Sequence, residues 1–384
     1  MRENRRIYGS DMAIIGKELK VVGKTYIKVV GDRIARIYSS RPKNVDEFYE
    51  ECVMVPGFVN MHTHIADSIG REKAYGLNLE EAVAPPSGLK FKVLESADEE
   101  ELIYAMRTAM GEMLRRGITT FVDFREGGVE GVMLLRRSLR GLGINAIVLG
   151  RPDGSSVEEV LSVADGVGLS SLNRYDGHEL LQIAENARSR GKYVAFHASE
   201  TEAMREKSIK MFGESDIVRG LRLMSPTFVV HATYADRGDL EALAKSGTCV
   251  VLCPRANAYF GLGPPPIRGV VELGVPFCLG TDNVMANSPD LFRELDFVVR
   301  IARMQGITIE PRRLLASITS LPGSVLGMEI GYIDLGARAD FFFFSMAEPN
   351  VACMEDPVKA IVLRGSETNI VSVVAGGGRV IFDV

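Results

Sequence analysis

VPGFVNMHTH, residues 55–64, joins a β-branched apolar run to two histidines one residue apart. Its longer form VMVPGFVNM (53–61) has the length and composition of a buried strand. Seven more short runs follow: TTFVDF (119–124), NAIVLG (145–150), GVGLSS (166–171), YVAFH (193–197), TFVVH (227–231), TCVVLC (248–253) and PFCLGTD (276–282). GVGLSS has the least strand propensity of the eight. Between the runs lie amphipathic stretches such as EELIYAMRTAMGEMLRRG, whose apolar residues recur at three and four. Strands alternating with helices predict parallel βαβ units. Eight of them predict a closed (β/α)8 TIM barrel rather than an open sheet.

The ends read differently. Residues 1–52 carry alternating segments such as KTYIKVVGDRIARIYS, and residues 331–384 carry DFFFFS, AIVLRG and SVVAGGGRVIFDV. Both are strand-rich, with glycine-based turns and no convincing helix between strands. The expected organisation is a barrel over 53–330 beside a small β-sandwich module composed of 1–52 and 331–384.

Composition narrows the function. A chain of 384 residues with 46% hydrophobic and 25% charged residues can bury a large core, and its net charge of −5 argues against a nucleic-acid surface. No apolar run approaches the ~20 residues of a membrane span. The start, MRENRRIYGSDM, has no apolar signal region, and Glu3 and Asp11 break its likeness to a transit peptide. Five scattered cysteines (Cys52, Cys249, Cys253, Cys278, Cys353) fit reduced thiols, hence a cytoplasmic protein. Cys249 and Cys253 share a face, which suits a metal pair less well than buried core thiols.

There are five histidines. His62 and His64 close the first run as H-x-H, and residues two apart on a strand share a face. His197 ends the fifth run, His231 the sixth, and Asp282 the eighth. A single His or Asp at a strand end is most often a cap or a core residue. Five such groups at the C-terminal rim of one barrel, where barrel enzymes build their sites, point to a centre for Zn²⁺ or Fe²⁺. Glu200 follows His197 in FHASE; it reads as a helix-start carboxylate or, beside a metal ligand, as a proton carrier. His178, ahead of ELLQIAENARSRG, reads as a surface or first-turn residue.

At these positions the chain resembles the amidohydrolase superfamily, specifically its cytosine/adenosine-type deaminase and chlorohydrolase branch. VPGFVNMHTH is similar to that family's PG-h-h-N-x-H-x-H signature, HASE to its H-x-x-E, HATYAD to its later histidine, and LGTDN to its terminal aspartate. CPRANAYFGLG resembles the CP-x-S-N segment with Ala256 for the usual Ser, and IGYIDLGARADFFFF the stretch that returns the chain to the β module. The resemblance implies metal ligands His62, His64, His197 and Asp282, with Glu200 as proton shuttle. Catalytic roles also fall to Asp282 and to His231, which would orient the attacking hydroxide or the substrate oxygen. Binuclear members carry a bridging Lys on the fourth strand; GVGLSSLNRY has none, which implies one divalent ion, Zn²⁺ or alternatively Fe²⁺.

The loop DSIGREKAYGLNLEEAVAPPSGLKFKVL after the first strand, DFREGG after the second and LGRPDG after the third depart from the family pattern. Arg125, Glu126, Arg151, Asn257 and Asn287 lie on rim loops and are the candidate substrate contacts. The expected activity is hydrolytic deamination of a small aminated heterocycle such as a nucleobase, nucleoside or pterin. Cyclic-amide opening of the imidazolone type and ring dechlorination could use the same site, whereas a non-enzymatic scaffold would have lost its ligands. The sequence is compatible with a homo-oligomer and does not fix its state.

Overall fold

The computed structural model describes residues 5–381, so residues 1–4 and 382–384 of the expected terminal module lie outside the described residues. The N-terminal strands are β1 (Arg5–Ile15), β2 (Lys20–Val22), β3 (Thr25–Val30), β4 (Arg33–Tyr38) and β5 (Glu47–Pro56). Next come β6 (Phe58–His64), β7 (Ile118–Arg125), β8 (Asn145–Gly150), β9 (Gly166–Leu169), β10 (Tyr193–Ala198), β11 (Phe228–His231), β12 (Cys249–Leu252), β13 (Phe277–Leu279) and β14 (Asp282–Asn283). The chain closes with β15 (Phe341–Ser345), β16 (Ile370–Ala375) and β17 (Gly378–Arg379).

Strands β6 to β14 form a parallel, barrel-like sheet in the order β13-β12-β11-β10-β9-β8-β7-β6-β14. Its last stretch is broken between β13 and β14. Gly280 N donates to Leu252 O at 3.0 Å and Thr281 N to His62 O at 3.1 Å, so this stretch reaches strands at both ends of the order. Val59, Met61, Val122, Phe124, Leu149, Phe228, Val230 and Val251 pack inside the sheet, and a larger apolar layer lies between the sheet and its helices. Several helices start where the sequence supplies caps. Asp98 and Glu101 cap Glu99–Arg115 reciprocally, and Asp176 and Glu179 do the same for Gly177–Ser189.

GVGLSS is a strand for a steric reason. A Cβ on Gly168 would lie 2.7 Å from the Phe124 ring, so the close approach of β9 to its neighbours demands the glycine that lowers strand propensity. The run 53–61 is not one strand. Val53–Pro56 belong to β5 in the other sheet, and the barrel strand starts at Phe58 after Gly57, where a Cβ would collide with Thr119 Oγ1.

The second sheet has the order β17-β16-β15-β5-β1-β3-β4, with β2 on β1, and so draws on both ends of the chain. DFFFFS joins the two bodies by its period of two. Phe341 and Phe343 pack with Tyr8 and Met54, while Phe342 and Phe344 enter the large core, Phe342 meeting Phe58 edge-on at 4.9 Å. One expectation fails here: AIVLR is not a strand but the end of helix Pro357–Arg364. Asp356 caps that helix through the amides of Val358 and Lys359, and Pro357 at its first position favours the turn. Among the described residues no helix is long and apolar enough to cross a membrane.

Candidate active site

β6 brings His62 and His64 to the rim. Val59 and Met61 point inward, yet so do the histidines of opposite parity; the register shift between Asn60 and Thr63 against β7 supplies the change of face. β10 delivers His197, β11 His231 and β14 Asp282. His231 and Asp282 hold positive φ angles of 73° and 61°, a conformation uncommon outside glycine that clusters at functional sites.

The five groups converge. The ligand atoms of His62, His64 and His197 lie within 4.8 Å of one another, as do those of His62, His231 and Asp282. His64 Nε2 is 3.3 Å from His197 Nε2, and Asp282 Oδ1 is 3.2 Å from His62 Nε2 and 3.6 Å from His64 Nε2. His64 Nδ1 faces Phe124 O at 3.0 Å, and His197 Nδ1 faces Leu169 O at 3.1 Å, which turns both Nε2 atoms toward the shared centre. Both ring nitrogens of His62 and of His231 are buried with no hydrogen-bond partner. Buried orphan nitrogens beside a carboxylate suit a divalent cation, so the donor set fits a metal centre.

Electrostatics agree with that fit. Burial pushes His62 down to about 3, against the opposing pull of Asp282, and holds His197 well below its ordinary value, so both stay neutral and able to donate a lone pair. Burial opposes the charge on Asp282, but the imidazole of His62 at 3.2 Å, then those of His231 and His64, outweigh it and hold the carboxyl well below its ordinary range.

Glu200 lies before Thr201, the N-cap of helix Glu202–Phe212, and therefore outside that helix's first turn. Its Oε1 is 3.7 Å from His231 Nε2, and burial raises its carboxyl above the ordinary range. The turn carrying it is fixed from behind: Asp216 accepts from Ser199 N at 2.7 Å and from Ser199 Oγ at 2.5 Å, holding Ser199 at φ 42°.

A cavity of about 620 Å³ opens above these groups, lined by His64, His197, Glu200 and Asp282 and by Lys90, Arg151 and residues 78–80 and 83–85. Among the candidate contacts, Arg151 lines this cavity, and Arg125 and Glu126 line an adjoining one. Asn257 is buried and donates to Thr233 Oγ1 at 2.9 Å; neither it nor Asn287 lines either cavity. His178 is exposed in the first turn of its helix. Cys249 and Cys278, not Cys253, form the close thiol pair, at 3.5 Å inside the barrel.

Sequence reading missed Lys90. It is 2% exposed, on helix Leu89–Ser96 in the unaligned loop, with Nζ 2.5 Å from Glu126 Oε1 and 3.7 Å from Asp67 Oδ2. Glu126 also approaches His64 Nδ1 at 2.7 Å. Burial disfavours its charge, yet Lys90, His64 and Arg151 together hold it well below the ordinary carboxylate range.

The sequence profile of the Amidohydrolase family matches residues 53–380. An uncharacterized protein of Methanocaldococcus jannaschii is 34% identical over 330 residues, covering 83% of this chain and 85% of its own. A 5-methylthioadenosine/S-adenosylhomocysteine deaminase of Halobacterium salinarum is 28% identical over 355 residues, covering 85% and 80%. Among solved structures, an adenosine deaminase from Xanthomonas campestris with bound zinc superposes with a TM-score of 0.83 at 18% identity, over 97% of this chain and 92% of that one. The zinc complex of atrazine chlorohydrolase from Arthrobacter aurescens gives 0.82 at 18% identity, over 97% and 94%.

Proposed function

We propose, from the premise that this chain belongs to the amidohydrolase family, that it is a metal-dependent hydrolytic deaminase of an aminated heterocycle. The observation that carries the reading is the meeting of His62, His64, His197, His231 and Asp282 beside Glu200 at the floor of one cavity. The relative from Halobacterium is a 5-methylthioadenosine/S-adenosylhomocysteine deaminase, which supports a substrate of nucleobase, nucleoside or pterin type. The finer architecture belongs to the same proposal: a (β/α)8 barrel that begins at Phe58 rather than at 53 and runs to 330, with a β-sandwich module that takes in the strands up to Pro56 as well as 331–384, acting in the cytoplasm.

His62, His64, His197 and Asp282 would hold one divalent ion, zinc in our reading, because β9 carries no Lys to bridge a second. Such an ion supplies an acidified water and positive charge at the reacting oxygen. Glu200 takes a proton from the attacking water as the C–O bond forms and passes it to the ring nitrogen; the second proton of that oxygen goes to the amino group as the C–N bond breaks, leaving a ring carbonyl and ammonia. His231 hydrogen-bonds the oxygen that becomes the product carbonyl.

The test is ammonia release from purines, pyrimidines, pterins and their nucleosides, with metal analysis of the same preparation. Halide release or ring opening without ammonia would replace deamination by the other chemistry this site could host. Two tightly bound ions per chain would overturn the single-metal assignment.

A further inference from the structure

Asp282 is held from both sides by the segment that carries His62 and His64. Its strand, β14, is two residues long, and its φ of 61° persists in a residue with a side chain only where the surroundings enforce it. On the N-terminal side Asn60 of β6 grips Thr281 twice. Asn60 Nδ2 donates to Thr281 Oγ1 at 2.7 Å, and Thr281 N donates to Asn60 Oδ1 at 3.1 Å. On the C-terminal side stands Asp67, in the 3-10 helix Ile65–Gly70 that follows His64. Asp67 Oδ2 accepts from Asn283 Nδ2 at 2.7 Å, and Asp67 Oδ1 accepts from Met285 N at 2.9 Å.

All five of these residues are buried, where a donor without an acceptor is costly. Among the described residues, Asp67 is the acceptor that serves both Asn283 Nδ2 and Met285 N. Lys90 Nζ is 3.7 Å from Asp67 but 2.5 Å from Glu126 Oε1, so the ammonium belongs first to Glu126. What Asp67 principally binds is therefore the chain just after Asp282. Asp67 itself lines neither cavity. Without its grip, Asn283 and Met285 are free to shift. Rotation at the adjoining peptide then swings the Asp282 carboxylate away from His62 Nε2, which it meets at 3.2 Å.

We propose that Asp67 is the positioning residue of Asp282, fixing through Asn283 and Met285 the left-handed backbone that aims its carboxylate at the histidines. This rests on the reading of His62, His64, His197 and Asp282 as a metal site, and adds to it a residue that touches neither metal nor substrate. Groups that orient a ligand from behind carry a share of metal affinity.

The test is zinc affinity of the full chain, measured by competition with a chromophoric chelator. The visible absorption of the cobalt-loaded protein reports ligand geometry alongside it. Asp67→Asn leaves Lys90 on Glu126 and an acceptor for Met285 N, but turns a donor toward Asn283 Nδ2. Its zinc dissociation constant should rise about 10–100-fold, and its cobalt spectrum should change. Asn283→Ala removes the donor instead, should weaken zinc in the same direction, and serves if Asp67→Asn does not fold. Exchanging donor and acceptor across the contact, in Asp67→Asn/Asn283→Asp, should return zinc affinity to within about threefold of wild type and restore the cobalt spectrum. Melting temperatures of the metal-free proteins record the purely structural share. The inference falls if Asp67→Asn, or Asn283→Ala in its place, binds zinc within about twofold of wild type with an unchanged cobalt spectrum, however low its melting temperature. It falls equally if the exchanged pair recovers melting temperature without zinc affinity. Either result, with tight binding by the wild type, leaves the metal reading intact. A wild type that binds neither zinc nor cobalt would remove the metal reading and this inference with it.

Discussion

His64 Nε2 and His197 Nε2 face each other at 3.3 Å across the barrel mouth, each ring anchored through Nδ1 to a backbone carbonyl of the neighbouring strand. Anchoring at Nδ1 places the proton there, so two lone pairs oppose each other in a buried space. A cation between them relieves that repulsion. Zinc should therefore raise the melting temperature of chelator-treated protein, by the equivalent of about 2.7 kcal/mol at 100 times its dissociation constant. In His64→Ala one ligand is gone, and elemental analysis should find most of the metal lost and the thermal gain with it. Full metal retention would remove His64 from the ligand set.

Asp216 acts at a distance from the chemistry. It holds both polar groups of Ser199, the residue before Glu200, whose positive φ bends the chain toward the cavity. Asp216→Ala leaves a buried amide and hydroxyl without partners, costing roughly 1–3 kcal/mol in denaturant unfolding. Because Glu200 rides on the same turn, kcat should fall more than metal content does. Unchanged stability and unchanged kcat together would contradict the role.

Much of this site was legible because its carriers sit at strand ends. H-x-H, His197, His231 and Asp282 each terminate a run whose apolar composition marks a strand, and barrel geometry then places them on one rim. Lys90 had no such marker. It lies in residues 65–98, where short helices and turns break every period, and only the folded chain brings it to Glu126 from the next strand's loop. Helix Pro357–Arg364 escaped for a related reason: AIVLR is apolar enough for either element, and eight residues are too few to show a period of 3.6.

Glu294 gives a prediction about pH. Burial lifts its carboxyl to about 8, with Arg255 pulling the other way, whereas in the unfolded chain it titrates near ~4.3. The folded state thus holds this proton more tightly. Its contribution to stability is complete below ~4.3 and is lost as pH rises through about 8. Glu294→Gln keeps an acceptor for Arg255 and does not titrate, so the variant should gain on the wild type between pH 5 and 8, by roughly 1–4 kcal/mol. Urea unfolding at several pH values measures this. A difference independent of pH would mean that Glu294 is ionised throughout.

Glu200 carries the sharpest test of mechanism. It sits outside the following helix, 3.7 Å from His231, with its carboxyl raised by burial. A base whose pKa lies above the ordinary carboxylate range shifts the acid limb of kcat upward in pH, since the ionised form is the one that accepts a proton. Glu200→Gln preserves size and hydrogen-bonding reach but cannot take a proton at neutral pH. The variant should keep its metal and its melting temperature while kcat falls by about 10²–10⁴-fold, the usual share of general acid–base catalysis, and the acid limb disappears with it. A carboxylate that only favoured the start of the helix would behave otherwise, costing ~0.3–1 kcal/mol of stability and leaving the rate alone. A variant within threefold of wild-type kcat would end the shuttle assignment.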